Sequence, residues 1–366
     1  MIKQGVITRA IILTVGFWVG AKSAGAQPMP LLPDASVAAP IQVAPDVTRR
    51  GEAVYIRARA TDQELAALHG MRGVKTVRIF RTLSDTNGAS PVGDSPANRV
   101  GFSAAGLSFL ADFTELETLD AMQAHLTDEA LAHLEGLTRL RELWLDFNPD
   151  ITDAGLAHLR GLTRLKVLRF HGARFTDAGL SSLRNLRELE DLQMGFANVT
   201  DAGLATVAQF SHLQILDLQH TLISDAGLSN LSQLRDLKWL CLNNTQVTGA
   251  GFSQLRDLTN LQFLFAEWTG ADDAGLGELR QLKNLRMLYL TSTRVGDAGV
   301  RALEPLLSLT NLKLNLTATT DASVPVLARL PVLSYVELSG TNVSAKGIAA
   351  LKAARPRLEV RETRNF

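Results

Sequence analysis

The sequence predicts an α/β solenoid, a curved horseshoe of about twelve 24-residue strand-turn-helix units with a parallel sheet on its concave side. Three observations carry this prediction. The stretch Thr200-Asp201-Ala202-Gly203-Leu204 returns at constant spacing: its aspartate position falls at Asp153, Asp177, Asp201, Asp225, Gly249, Asp273, Asp297, Asp321 and Ala345, each 24 residues after the last. Leucines recur at fixed offsets inside every period. Within one unit the apolar spacing then switches from three to two. Leu180, Leu183 and Leu186 form the inward stripe of a short helix, and Leu192 and Met194 form one face of a strand. Such a unit buries one side only, so neighbours must stack to complete a core.

In chain order, residues 1–26 read as a secretory leader. Lys3 and Arg9 precede an apolar run from Ala10 to Gly20, and Ala24-Gly25-Ala26 supplies small residues for cleavage after Ala26. A run of that length is short of the roughly 20 residues a bilayer span requires. Residues 27–50, with Pro28, Pro30, Pro33, Pro40 and Pro45 among alanines, are expected to be a flexible spacer. Residues 51–366 form the repeat domain, opened by a capping strand over residues 53–59. Asp62 starts the first unit, and an insertion at 81–99, rich in Ser, Gly, Pro, Asp and Asn, is read as an exposed loop. Asp85, Asn87, Gly88 and Asp94 fit later places of a calcium-loop template, but Leu83 occupies the first place, which needs an acid. The register resumes at Ala104 and Asp128. It slips by one residue at Phe147-Asn148-Pro149-Asp150, where an outward bulge is expected. Thr221, Thr245, Thr269, Thr293, Thr317 and Thr341 recur in the turn after the strand, where a hydroxyl can satisfy turn backbone.

These units resemble the leucine-rich-repeat family. The run Leu162-Thr163-Arg164-Leu165 leading to Thr176-Asp177-Ala178-Gly179-Leu180 is similar to exported bacterial repeat proteins, and the strand-helix alternation to the ribonuclease-inhibitor-like subclass. The resemblance spans about residue 54 to the C-terminus, with threonine standing where the family commonly has an asparagine ladder. It implies a concave sheet that binds another macromolecule.

Composition narrows the function. Lys+Arg 37 balances Asp+Glu 37, which argues against a nucleic-acid binder, because phosphate contacts need a basic stripe. Removing Lys3, Arg9 and Lys22 with the leader leaves 34 basic against 37 acidic residues. Cys241 is the single cysteine, so neither an intrachain disulfide nor a CxxC site can form.

Strand alternation assigns side chains to the concave face. Trp239, Phe263, Phe265, Met287 and Tyr289 lie on three adjacent strands, with Ile215 beside them and Trp268 on the nearby turn. Contiguous exposed aromatics anchor protein interfaces, so this patch is the expected partner site. Asp120, Glu142, Asp146, Arg169 and His171 around Trp144 form a second, polar patch, read as a solvated ion-pair surface because an open sheet lacks a water-excluding cleft. His133 and His158 repeat one outward helix position and are read as surface residues. The sequence therefore predicts an exported, periplasmic or secreted, monomeric and non-enzymatic protein-binding solenoid. It has no cofactor, no metal and no membrane insertion after leader removal. The alternatives are an envelope-associated structural repeat protein or an effector related to ubiquitin-ligase-type repeat proteins. Cys241 lacks a neighbouring histidine base and is followed by Leu242 and Asn243, which disfavours the effector.

Overall fold

A computed structural model describes residues 41–80 and 101–362. The leader, most of the expected spacer, the 81–99 insertion with its calcium-like template, and the last four residues lie outside the described residues.

Fifteen described strands form one sheet in strict chain order. They are β1 (Ile41–Ala44), β2 (Val47–Arg50), β3 (Ala53–Arg57), β4 (Thr76–Phe80), β5 (Thr118–Asp120), β6 (Glu142–Trp144), β7 (Val167–Arg169), β8 (Asp191–Gln193), β9 (Ile215–Asp217), β10 (Trp239–Cys241), β11 (Phe263–Phe265), β12 (Met287–Tyr289), β13 (Asn311–Lys313), β14 (Tyr335–Glu337) and β15 (Glu359–Arg361). From β3 onward every pairing is parallel, and the register aligns residues one period apart, as in Trp239 with Phe263 and Phe263 with Met287. The sequence period is thus the sheet register. Leucines of the strands and convex helices interlock into one core: Leu180, Leu183, Leu186, Leu189, Leu192 and Met194 are all fully buried. The convex elements are short, four to six residues of α-helix in units such as Asp177–Ser182 and Asp225–Leu228, with a 3-10 segment instead over Gly249–Leu255. No helix of the described residues is long and apolar enough to cross a membrane.

The expected spacer ends earlier than residue 50. β1 and β2 form an antiparallel hairpin on β3, so residues 41–50 belong to the domain. Val47 is fully buried beside Val54 and Ile56, and Asp46 in the turn receives Arg59 Nε at 2.9 Å. The hairpin covers the first repeat, which otherwise leaves apolar side chains and a strand edge in water. Near the other end Arg355 donates to the carbonyls of Ala328, Leu330, Pro331 and Leu333, tying the last described unit to the one before it.

The Thr-Asp-Ala-Gly-Leu motif is a hydrogen-bonded ladder between units. Asp153 Oδ1 accepts from the Thr176 N–H at 2.7 Å and the Gly179 N–H at 3.0 Å, while Oδ2 accepts from the Thr176 hydroxyl at 2.8 Å. Thr176 in turn caps its own helix through Ala178 N–H. The pattern repeats for Asp177 with Thr200, Asp201 with Ser224, Asp225 with Thr248, Asp297 with Thr320 and Asp321 with Ser344. Glycine follows because of close approach: a Cβ on Gly179 would lie 2.4 Å from Asp153 Oδ1.

Exceptions obey the same geometry. Ala104 replaces the aspartate in its unit, so no carboxylate reaches the next motif, and there Ala130 stands where most units have glycine. Ser323 replaces the glycine facing Asp297 and donates its hydroxyl to that carboxylate. Ala104→Asp alone should therefore destabilise, because its carboxylate meets the Ala130 Cβ. Adding Ala130→Gly should recover that loss plus about 1 kcal/mol from the completed cap. Urea midpoints of the two variants measure it.

Thr221, Thr245, Thr269, Thr293, Thr317 and Thr341 each donate a hydroxyl to the carbonyl three residues earlier, at 2.6–2.7 Å. The expected bulge at 147–150 is only half present. Asn148 turns inward, fully buried, and bonds Ala121 O, Leu145 O and Leu126 N–H at 2.8–2.9 Å. It takes the threonine's place in the turn, so the ladder is not threonine throughout, and the extra residue is absorbed after it, around half-buried Pro149 and exposed Asp150. A longer amide bridges three backbone groups that a hydroxyl cannot span.

Candidate interaction surface

The concave face divides into a charged half and an aromatic half. In the charged half, the patch expected to be solvated is largely buried: Asp146 is 4% exposed and Arg169 6%. Arg169 Nη2 lies 2.8 Å from Asp191 Oδ2 and its guanidinium 5.1 Å over the Trp144 ring. Gln193 donates to Asp191 at 2.9 Å. Strands about 4.8 Å apart crowd these long side chains together, so they screen one another from water.

His171 sits at the centre. Its Nδ1 is 2.7 Å from Asp146 Oδ1 and its Nε2 3.1 Å from Asp217 Oδ2. With a carboxylate at each ring nitrogen both must donate, so the ring is an imidazolium. Burial acts to lower its pKa, and the bonds to Asp146 and Asp217 more than offset this, raising it to about 10. Reaching Asp217 means crossing the intervening unit just past the end of β8, where the residue in the way is Gly195. A Cβ there would come within 2.7 Å of both the His171 ring and Gln219.

Burial also raises the carboxyl pKa of Asp120, Glu142, Asp191 and Glu267. Among the described residues, Glu142 Oε2, Trp144 Nε1 and Arg78 Nε are buried without a hydrogen-bond partner. Sequence reading placed His171, Asp146 and Arg169 together and left out Asp191 and Asp217, which complete the network. Those two stood in the same strand columns, but nothing in the periodicity marks contact across two units.

In the aromatic half, Trp239, Phe263, Phe265 and Ile215 are partly exposed, whereas Met287 and Tyr289 are buried, at 7% and 9%. The rings pack on each other: Trp239 to Phe265 at 5.1 Å, and Phe265 edge-on to Tyr289 at 4.9 Å. Lys313 Nζ caps the Tyr289 ring at 4.4 Å and lies 3.6 Å from Glu337. Met287 and Tyr289 thus lie beside Phe263 and Phe265 on the next strand, covered by their neighbours. Trp268 is 52% exposed on the turn beyond the strand. Cys241 is buried, and burial with the nearby Asp217 carboxylate pushes its thiol pKa well up, leaving it protonated rather than nucleophilic.

Residues 211–232, which cover one unit, match a family model described as a leucine rich repeat. The match joins a ladder of in-register units built on the same strand, turn and helix. The chain has the fold of a leucine-rich-repeat solenoid. The crystal structure of an internalin from Listeria monocytogenes shares its fold at 18% identity, with a TM-score of 0.64 over 86% of this chain and 87% of that one. A second internalin from that organism, C2, is 24% identical over 64% of this chain and 84% of its own, at a TM-score of 0.40. None of the curated proteins matches this chain. The comparisons stop at the repeat family and reach no subclass.

Proposed function

We propose that this leucine-rich-repeat solenoid is exported and binds a protein partner on its concave face, without chemistry of its own. The observation that carries the reading is the run Trp239, Phe263 and Phe265 on β10 and β11, apolar rings left partly in water and flanked on the next strand by buried Met287 and Tyr289. Rings of that size are the residues interfaces use as anchors, and rings already packed on one another lose less entropy on binding. Export rests on the leader pattern in residues 1–26. The charged half would set register and orientation, because buried ion pairs there are already satisfied and give little net attraction.

Affinity capture from an extracytoplasmic extract, comparing the wild type with Trp239→Ala/Phe265→Ala, tests the assignment. The variant should recover the partner at least tenfold less, given about 2 kcal/mol for a single anchor. Equal recovery by a variant with unchanged thermal unfolding would remove the concave patch from the interface.

A further inference from the structure

The charged half of the concave face is closed on itself over β7 to β9, where Arg169 meets Asp191 and His171 meets Asp146 and Asp217. Over β3 to β6 the polar groups remain unspent. Register there places Tyr55, Arg78, Asp120 and Trp144 side by side, one per strand, and Glu142 shares the face with Trp144 two residues earlier on β6. All five side chains are partly exposed.

Arg50 and Arg78 lie over the Tyr55 ring at 5.9 and 6.0 Å. Among the described residues neither guanidinium has a carboxylate within ion-pairing distance, and the Tyr55 hydroxyl makes no hydrogen bond. Asp120 receives one N–H there, that of Met122 at 3.4 Å. Glu142 has the Thr118 hydroxyl beside it, yet its Oε2 lacks a donor, and Arg78 Nε and Trp144 Nε1 lack acceptors. Two aromatic residues thus bracket charges whose hydrogen-bonding capacity the protein itself does not use. Between them the face carries Thr76, Arg78, Thr118, Asp120 and Glu142, and apolar side chains, Phe80 and Met122, come at its trailing edge.

That composition selects a ligand. A polyanion meets Asp120 and Glu142, a polycation meets Arg50 and Arg78, and a protein segment finds little apolar surface for its anchors. Sugar hydroxyls suit both signs, because each can donate to a carboxylate and accept from an indole or guanidinium N–H. The apolar face of a sugar ring packs on the exposed part of Trp144, which Arg169 braces at 5.1 Å. Tyr55 stands three strand spacings away, about 14 Å, which is room for an oligosaccharide rather than one sugar.

We infer that β3 to β6 form a binding strip for a neutral oligosaccharide. It is separate from the aromatic patch on β10 and β11, and its ligand is additional to the protein partner proposed there.

A glycan array of neutral, sulfated and sialylated oligosaccharides, probed with the full chain, tests it, with each retained glycan titrated against variants. Neutral glycans should be retained. Their affinity should fall at least tenfold for Asp120→Asn/Glu142→Gln and stay unchanged for Trp239→Ala/Phe265→Ala. Burial disfavours the charged form of both carboxyls, so the amides should keep the unfolding temperature. Retention of acidic glycans alone, or of none, overturns the strip, as does neutral-glycan binding that Asp120→Asn/Glu142→Gln leaves intact. A chain that captures a protein through Trp239 and Phe265 yet retains no glycan loses this inference and keeps the protein-binding reading.

Discussion

Replacing His171 by leucine should destabilise the protein by about 3–5 kcal/mol, the cost of leaving buried charge unpaired. The Asp146 and Asp217 carboxylates, each 5% exposed at the side chain, lose the imidazolium between them and must either share a proton or repel. Chemical denaturation of the variant measures the loss. The wild type should also lose stability in base. The folded pKa of His171 is raised to about 10 from an ordinary 6.5, so its contribution is fully present below about pH 6.5 and disappears as pH rises through 10. The window is therefore pH 6.5 to 10, and it amounts to several kcal/mol at most. His171→Leu should flatten that slope in a series of denaturation curves across the window. If the wild-type curve is no steeper than the variant's, the imidazolium is not bound as described.

Gly249→Asp, which restores the motif's own aspartate, should destabilise by about 2–4 kcal/mol. In this unit the pattern is inverted. Asp272 stands at the next unit's threonine position and caps its helix through Gly275 N–H at 3.0 Å, with its carboxylate turned toward Gly249. A Cβ on Gly249 would lie 1.9 Å from Asp272 Oδ1, so a second carboxylate there meets like charge at van der Waals overlap. Asp272→Thr removes that charge and reinstates the ordinary pair. The double variant Gly249→Asp/Asp272→Thr should then return to within about 1 kcal/mol of wild type, a coupling far larger than independent sites show. Additive losses in the double variant would sink the compensation.

Much of the architecture was legible before any coordinates. The recurring aspartate gave the 24-residue register, and alternation from it placed Trp239, Phe263 and Phe265 on one face, where the sheet has them. Both strand faces and helix stripes are local periodicities, and a strict repeat averages out the errors of any one unit. The hairpin at 41–50 escaped because prolines mask the short alternation around Val47. The exposure of the patches also escaped. Arg169 and His171 read as solvated because they are charged, and Tyr289 and Met287 as anchors because they are large, whereas burial depends on how far a neighbour's side chain extends.

By itself, then, the sequence determined the repeat, the strand register and which residues share the concave face, since each follows from spacing along one chain. Only the tertiary structure decided what those residues meet. Asp153 reaches Thr176 and Gly179 in the next unit, His171 crosses Gly195 to Asp217 two units on, and Trp268 leaves the aromatic patch for the rim. The reason is that stacking converts separations of 24 and 48 residues into a few ångströms. Contacts at that range depend on side-chain length, on the glycines that open a path and on the sign of φ at a turn, and none of these is periodic in the sequence.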